Sequence, residues 1–151
     1  MKNQPYEVHL FGAGSLHPAV APKLNVPEVR MRGFVDDIDA ELLKSRVFLC
    51  VNNGSVYKVG HTRYLHAWSL GCCVVAHKDA ALSMPEIVHD KNALLGQNPA
   101  EIANLIKTAI EDPGLRARIG EGGYNTFKEY FVASSVAPKI LDKIKKYESK
   151  N

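Results

Sequence analysis

Five short apolar runs punctuate the first two thirds of this chain. They are YEVHLFG (6–12), EVRMRGF (28–34), VFLCV (47–51), CVVAH (73–77) and NALLG (92–96). Each run is bounded by turn residues and is short enough for a strand. CVVAH is apolar almost throughout and carries two β-branched residues, which is typical of a strand buried on both faces. The pattern therefore predicts five strands.

The segments between and after these runs have helical spacing. Pro99 fits the first turn of the clearest helix, 99–112. Its apolar stripe comprises Ile102, Leu105, Ile106, Ala109 and Ile110. Further helices are predicted over 38–45 with Asp36 or Asp37 as N-cap, over 114–130, and over 134–147 with Ser134 or Ser135 as N-cap. Residues 15–24 are a poor candidate because Pro18 and Pro22 interrupt them, and 85–90 fits a single turn.

Strands that alternate with helices predict an α/β fold. We expect a single domain of three layers, with a parallel five-stranded Rossmann-like sheet covered by helices on both faces. Ligands of such sheets bind beyond the carboxyl ends of the strands. The loops 12–15, 34–37, 52–60 and 77–82 then share one rim, which is where a site is expected.

The segment GHTRYLHAWSLGCCVVAH (60–77) is the most informative part of that rim. It predicts a helix that begins at His61 or Thr62 and is stopped by Gly71. Its apolar side comprises Tyr64, Leu65, Trp68 and Leu70. The free N–H groups of the first turn, the close approach that Gly60 allows and the charge of Arg63 together favour a phosphate or diphosphate.

Charge and composition exclude several classes of protein. The net charge is only +3, and much of the basic excess falls in 142–150, which suits a solvated helix face better than a nucleic-acid interface. No apolar run approaches the roughly 20 residues of a membrane span, and the N-terminus lacks a signal-peptide core. Three cysteines, two of them adjacent, make a poor disulfide framework and favour the cytoplasm.

Metal and dinucleotide sites are not supported by the spacing. His61 and His66 are five residues apart, and no Cys-x-x-Cys motif occurs, so no metal site and no cofactor are expected. Gly12 and Gly14 begin a glycine-rich turn, but His17 stands where a dinucleotide fingerprint needs its third glycine. A simple strand-to-helix turn is the preferred interpretation there.

Six features in a fixed order resemble one known family. They are FGAG (11–14), RGFVDDIDAELLKSRVFLCV (32–51), a glycine-bearing loop, LHAWSLGCCVVAH (65–77), MPEIVHDKNALLG (84–96) and the helical pair 100–131. This order is similar to the C-terminal, nucleotide-sugar-binding half of retaining glycosyltransferases of the GT-B architecture, the group 1 or family 4 set. The resemblance implies that the acceptor domain and the first strand of the family are absent here, which leaves a strand order of 2-1-3-4-5.

The resemblance also implies roles for individual residues. The backbone around Phe34 and Val35, with Asp37, would meet the base of the nucleotide. The turn of Gly60, His61, Thr62 and Arg63 would hold the diphosphate, and the Gly12 and Gly14 turn would line the same rim. Two glutamates of the family, eight residues apart, are replaced by Lys58 near the sugar or phosphate and His66 at the ribose.

Two functions stay open on this basis. One is the donor-binding domain of a hexosyltransferase that uses a nucleotide-sugar as substrate, with an acceptor domain or a second copy of the chain as partner. The isolated chain is then expected to be inactive. The other is a non-catalytic α/β module for interaction or self-association. A receiver-like domain is disfavoured, because Gly-Ala-Gly and Asn-Asn-Gly stand where its acidic residues belong.

Overall fold

The computed structural model describes residues 6–12, 16–51 and 62–149. Its strands are β1 Val8–Phe11, β2 Val29–Gly33, β3 Phe48–Cys50, β4 Val74–His77 and β5 Leu94–Gly96. Its helices are α1 Ala21–Leu24, α2 Ile38–Lys44, α3 Thr62–Ser69, α4 Pro99–Glu111, α5 Pro113–Tyr130 and α6 Ala133–Glu148, with a 3-10 helix over Lys78–Leu82. Every strand lies within an apolar run, so the strand predictions are confirmed.

The strands pair in parallel, as predicted, but within two compact units. The first unit ends at Ile38 and the second begins at Asp39. In the first unit β1 pairs with β2, with Val8 opposite Val29. In the second unit the order is β3-β4-β5. The α/β fold is confirmed, whereas the order 2-1-3-4-5 in a single sheet is not, because no ladder among the described residues joins β1 to β3.

The first unit is held by its two strands, whose register is supported by a charged cross-strand pair. The Glu7 carboxylate accepts hydrogen bonds from Arg30 Nε and Nη2 at 3.2 and 3.1 Å, and lies 3.2 Å from His9 Nε2. The hydrogen bonds from His9 and Arg30 hold the pKa of Glu7 below its usual value. The poor helix predicted over 15–24 shortens to the single turn α1, with Pro22 at its start.

The core of the second unit lies between its sheet and the helices α4 and α5. One buried cluster contains Cys73, Val75, Leu94, Ile102, Ala109 and Ile119. Leu105 and Ile106 of α4 pack against it, which confirms the predicted stripe of that helix. Burial of this kind contributes about 1.5–3 kcal/mol for each large side chain.

Glycines let α5 approach its neighbours at backbone distance. A Cβ atom at Gly120 would overlap the carbonyl oxygen of Gly71, and a Cβ atom at Gly123 would overlap the Trp68 ring. Glycine in a helix interior costs about 1 kcal/mol relative to alanine, yet here no other residue fits. The close packing of α3 on α5 therefore depends on these two positions.

Helix α3 begins and ends where the sequence predicts. It starts at Thr62, and Gly71 follows it with φ of 66°. The Cys72 amide donates to Ala67 O at 2.9 Å and the Gly71 amide to Trp68 O at 3.0 Å. These two hydrogen bonds form a Schellman motif, whose left-handed position favours glycine.

Three local predictions are wrong. A 3-10 helix spans Lys78–Leu82, where a loop was predicted, because the His77 side chain accepts a hydrogen bond from the Asp79 amide and caps it. Residues 85–90 form turns without a helix. Helix α6 has Val132 as its N-cap and no side-chain capping bond, since the Ser135 hydroxyl donates to Lys128 O instead.

Candidate functional site

The start of α3 carries exposed polar and positively charged side chains. The chain leaves β3 at Cys50 and enters α3 at Thr62, where the side chains of Thr62 and Arg63 are exposed. No hydrogen bond or ion pair of Arg63 to another described residue is found. The first amides of a helix lack partners within the helix, so this end suits an anion. The predicted site residues Lys58, Gly60 and His61 lie outside the described residues.

The opposite side of α3 is anchored in the core. Tyr64 and Trp68 are fully buried, and Trp68 Nε1 donates to Asn92 O at 2.9 Å. The Asn92 side chain donates to Glu86 O and to Thr126 Oγ1, at 2.8 and 2.9 Å. Burial raises the pKa of the Tyr64 phenol far above its usual value, so it stays neutral. These contacts hold α3 in place while its first turn stays open to solvent.

His66 is paired with an acidic side chain from α2. His66 Nε2 lies 2.5 Å from Asp39 Oδ1, and the two side chains are 40% and 56% exposed. Because a carboxylate only accepts hydrogen bonds, the imidazole donates through Nε2. Asp39 was not among the predicted site residues. The sequence feature that could have indicated it is an acidic residue in the first turn of a predicted helix. The ribose contact predicted for His66 stays a prediction.

The polar groups at the ends of β4 and β5 form hydrogen bonds with one another. His77 Nε2 donates to Gln97 O at 3.1 Å, while its Nδ1 accepts from the Asp79 amide at 3.2 Å. A ring that donates at one nitrogen and accepts at the other is neutral, so its 3.5 Å approach to Asp79 Oδ2 is no ion pair. A hydrogen bond from the Gln97 amide holds the pKa of Glu101 below its usual value.

In the first unit, the ends of β1 and β2 lie side by side. The Gly12 amide donates to Gly33 O at 2.8 Å, and the two glycines have φ of 107° and 64°. Beyond them Phe34 is 82% exposed, Val35 is half-buried and Asp37 is exposed. Gly14 lies outside the described residues. The base contact predicted for Phe34, Val35 and Asp37 stays a prediction.

A shallow groove of about 380 Å³ lies at the other end of the second unit, near the amino ends of β3 and β4. Its floor includes Leu42, Cys72 and Cys73, and Arg46 and Arg116 stand at its border. Arg116 Nη1 donates to Ala109 O and Ile110 O, both at 2.7 Å, and so caps the end of α4. The groove is lined by Leu70 and Gly71, just after the end of α3, whereas Thr62 and Arg63 lie at its start.

The described residues show neither a metal-binding cluster nor a membrane-spanning helix. Across 6–12, 16–51 and 62–149, no group of three or more His, Cys, Asp or Glu side chains could hold a metal ion. None of the helices in the same ranges combines the length and apolarity needed to cross a bilayer.

Comparison with known proteins identifies the family. The model of the family "Glycosyl transferases group 1" matches residues 1–112. No curated protein sequence matches this chain. The crystal structure of Anabaena Alr3699/HepE in complex with UDP is similar to 95% of this chain, with a TM-score of 0.71 and 20% identity. The C-terminal domain of the group 1 family protein LpcC from Francisella tularensis is similar to 76%, with a TM-score of 0.58 and 23% identity.

The likeness covers only part of each solved chain. This chain spans 42% of the HepE chain and 60% of the LpcC chain. Identities below 25% establish the fold alone, and the fold is the Rossmann-like one of GT-B C-terminal domains. Because the family model matches about three quarters of its residues, the chain belongs to the group 1 glycosyltransferases.

Proposed function

We propose that this chain is the donor-binding domain of a glycosyltransferase that transfers a hexose from a nucleotide-sugar to an acceptor. One observation carries the proposal beyond family membership. The first turn of α3, whose amides have no carbonyl partners within the helix, carries the exposed side chains of Thr62 and Arg63 and follows β3 in the chain. Amides and a guanidinium are the groups that recognise phosphate oxygens. The UDP bound to the related HepE structure supports a nucleoside diphosphate as the ligand.

The same groups suit the chemistry of transfer. When the sugar leaves, the bond between its anomeric carbon and the β-phosphate breaks, and the diphosphate keeps the electron pair. Charge therefore accumulates on the leaving diphosphate. Fixed amide dipoles and Arg63 would stabilise that charge more than the charge of the bound donor, which lowers the barrier. The predicted contacts of Gly60, His61 and Thr62 with the diphosphate belong to this proposal, as does Lys58 near the sugar.

Titration of the purified chain with UDP tests the proposal directly. We expect chemical-shift changes, followed by NMR, at residues 62–66 and at 34–37 at millimolar UDP. Arg63→Ala should weaken binding by about tenfold, the usual value of one charge-assisted hydrogen bond. Lys107→Ala is the matched control, because Lys107 is an exposed cation on α4. Absence of any shift in both segments would refute a donor site.

Transfer by the isolated chain is a separate question. Group 1 enzymes are expected to bind donor and acceptor between two domains, and this chain spans less than half of HepE. We therefore expect no sugar transfer from the purified chain, because an unpositioned acceptor contributes little rate. A single-turnover product with UDP-glucose and a panel of acceptors would contradict this expectation.

A self-association module is the second candidate, and one observation favours it. Helix α6 exposes the apolar side chains of Ile140, Leu141, Ile144 and Tyr147. Exposed apolar stripes mark surfaces that other molecules cover. Sedimentation equilibrium discriminates between the two functions. A tight dimer that Ile144→Glu dissociates, together with no affinity for UDP, would favour the module over the donor domain.

A further inference from the structure

The last helix, α6, carries an apolar stripe that no described part of the chain covers. Ile140, Leu141, Ile144 and Tyr147 recur at spacings of three and four residues, so they lie on one side of the helix. Their exposed fractions lie between 48% and 72%. Every residue from 137 to 149 is exposed. The stripe is therefore a surface that another molecule can cover.

Lysines border the stripe on both sides. Successive residues of a helix are about 100° apart around its axis, so Lys143 and Lys145 flank Ile144 on its two sides. No hydrogen bond or ion pair of either lysine to another described residue is found. Asp142 lies on the opposite face, where its carboxylate pairs with Lys146 at 2.7 Å. The borders of the stripe are therefore positively charged, and the helix has four lysines against two acidic residues.

The first turns of α6 are fixed to the end of α5. Ser135 Oγ donates to Lys128 O at 2.6 Å, and Lys139 Nζ donates to Glu129 O at 3.3 Å. The Lys139 ammonium also lies 5.2 Å from the centre of the Tyr130 ring, within the range of a cation–π interaction. These contacts set the direction of the helix, so its stripe and lysines are presented together on one surface.

This combination fits a lipid surface better than a second copy of the chain. A helix that lies in the membrane interface inserts its apolar side and places lysines at the borders, where they meet anionic headgroups. The ring of Tyr147 is apolar and its hydroxyl polar, which suits the same boundary. In a two-fold dimer the lysine borders of two copies would face each other. Four partly exposed side chains also supply less than the roughly 800 Å² that each partner of a stable dimer buries.

We propose that α6 binds the surface of an anionic lipid bilayer and lies in the plane of its headgroups. The stripe enters the boundary between headgroups and acyl chains, and Lys143 and Lys145 contact the headgroup phosphates. The helix lies on the bilayer and does not cross it. Binding through α6 is independent of the proposed donor site, because none of these residues belongs to that site.

Co-sedimentation of the full chain with lipid vesicles tests the proposal. One set of vesicles contains equal parts of phosphatidylcholine and phosphatidylglycerol, and the other contains phosphatidylcholine alone. The wild type should bind the anionic vesicles about tenfold more tightly, and less tightly as the salt concentration rises. Ile144→Glu should weaken that binding about tenfold, because it removes an apolar side chain from the stripe. Leu43→Glu, at a 63% exposed position on α2, is the matched control and should bind like the wild type.

A double variant tests the lysine borders without changing the stripe. Lys143→Gln combined with Lys145→Gln should weaken binding to anionic vesicles about tenfold and leave binding to phosphatidylcholine unchanged. Lys23→Gln combined with Lys107→Gln removes the same charge from α1 and α4, and should have no such effect. The double variant also serves if Ile144→Glu fails to fold, which thermal melts would reveal.

Fluorescence distinguishes insertion from adsorption by charge alone. The emission of Tyr147→Trp should shift to shorter wavelength when anionic vesicles are added, because the ring enters an apolar environment. Tyr124→Trp, at a 42% exposed position on α5, is the control and should show no shift. An unshifted Tyr147→Trp in the presence of bound vesicles would overturn the insertion of the stripe.

Three further results would assign the stripe differently. Absence of wild-type binding to anionic vesicles would refute the proposal. Binding that survives both Ile144→Glu and the double lysine variant would place the lipid contact on another surface. A dimer that Ile144→Glu dissociates, without any vesicle binding, would show that a second copy covers the stripe. The affinity for UDP should be the same in all these variants, so the donor site is judged separately.

Discussion

The two sides of α3 differ in burial and in the kind of residue they carry. On one side Tyr64 and Trp68 are fully buried, and α5 approaches at the backbone through Gly123. On the other side Arg63 is exposed, and the partly exposed His66 side chain hydrogen-bonds Asp39 of α2. One side therefore contributes stability and the other offers groups for a ligand. A helix fixed by a rigid core positions a site more accurately than a loop does.

The largest effect is expected from removing the anchor of the buried side. Trp68→Ala should lower the free energy of unfolding by about 3–5 kcal/mol, through lost burial and a cavity. It also removes the hydrogen bond to Asn92 O. Urea denaturation measures the change. Tyr147→Ala is the control, because Tyr147 is 72% exposed on α6 and should change stability by less than about 0.5 kcal/mol. Similar losses in both variants would show that the buried side of α3 contributes no more stability than an exposed surface.

Adding one methyl group where α5 approaches the backbone of Gly71 should lower the free energy of unfolding nearly as much. Gly120→Ala places a Cβ atom against the backbone oxygen of Gly71, which has no rotamer with which to move away. We expect a loss of about 3 kcal/mol, at the upper end for overpacking. Gly114→Ala is the matched control, since its Cβ would meet only the Asp112 side chain at 3.3 Å. A stabilised Gly120→Ala variant would show that α5 does not sit this close.

Above pH 9, a loss of stability should come from the buried thiol of Cys73, which lies in the core beside α4 and α5. Burial raises the pKa of the Cys73 thiol to about 11, from a usual value of 9.0. A raised folded-state pKa contributes stability that is complete below pH 9 and is lost as the pH rises toward 11. We expect a loss of about 2 kcal/mol between these values. Cys73→Ala should remove this part of the slope, measured by urea denaturation across the range. An unchanged slope would refute the assignment.

The smallest effect on stability is expected on the open side. Arg63→Ala should change the free energy of unfolding by less than about 0.5 kcal/mol, because Arg63 is exposed at the start of α3. Its effect should appear in the affinity for UDP instead. A variant that lost stability and affinity together would show that Arg63 belongs to the packed side. Denaturation and calorimetry on the same preparation make this comparison direct.

Short-range sequence patterns were sufficient to predict the five strands and the longer helices. The run CVVAH predicts β4 because β-branched residues suit a buried strand, and Gly71 predicts the end of α3 because its left-handed conformation is costly for other residues. Both signals reside in a few neighbouring residues. The 3-10 helix after His77 was missed, because its cap is an imidazole and not one of the usual capping side chains.

Long-range relations were decided by the tertiary structure. The sequence by itself determined the parallel α/β class, the strands and an exposed, basic start of α3. Only the fold placed Asp39 against His66, 27 residues away, and made Gly120 and Gly123 indispensable to the packing of α5. Helical and strand periodicity depends on neighbours in the chain, whereas a contact between helices depends on how their axes pack, which no local spacing encodes.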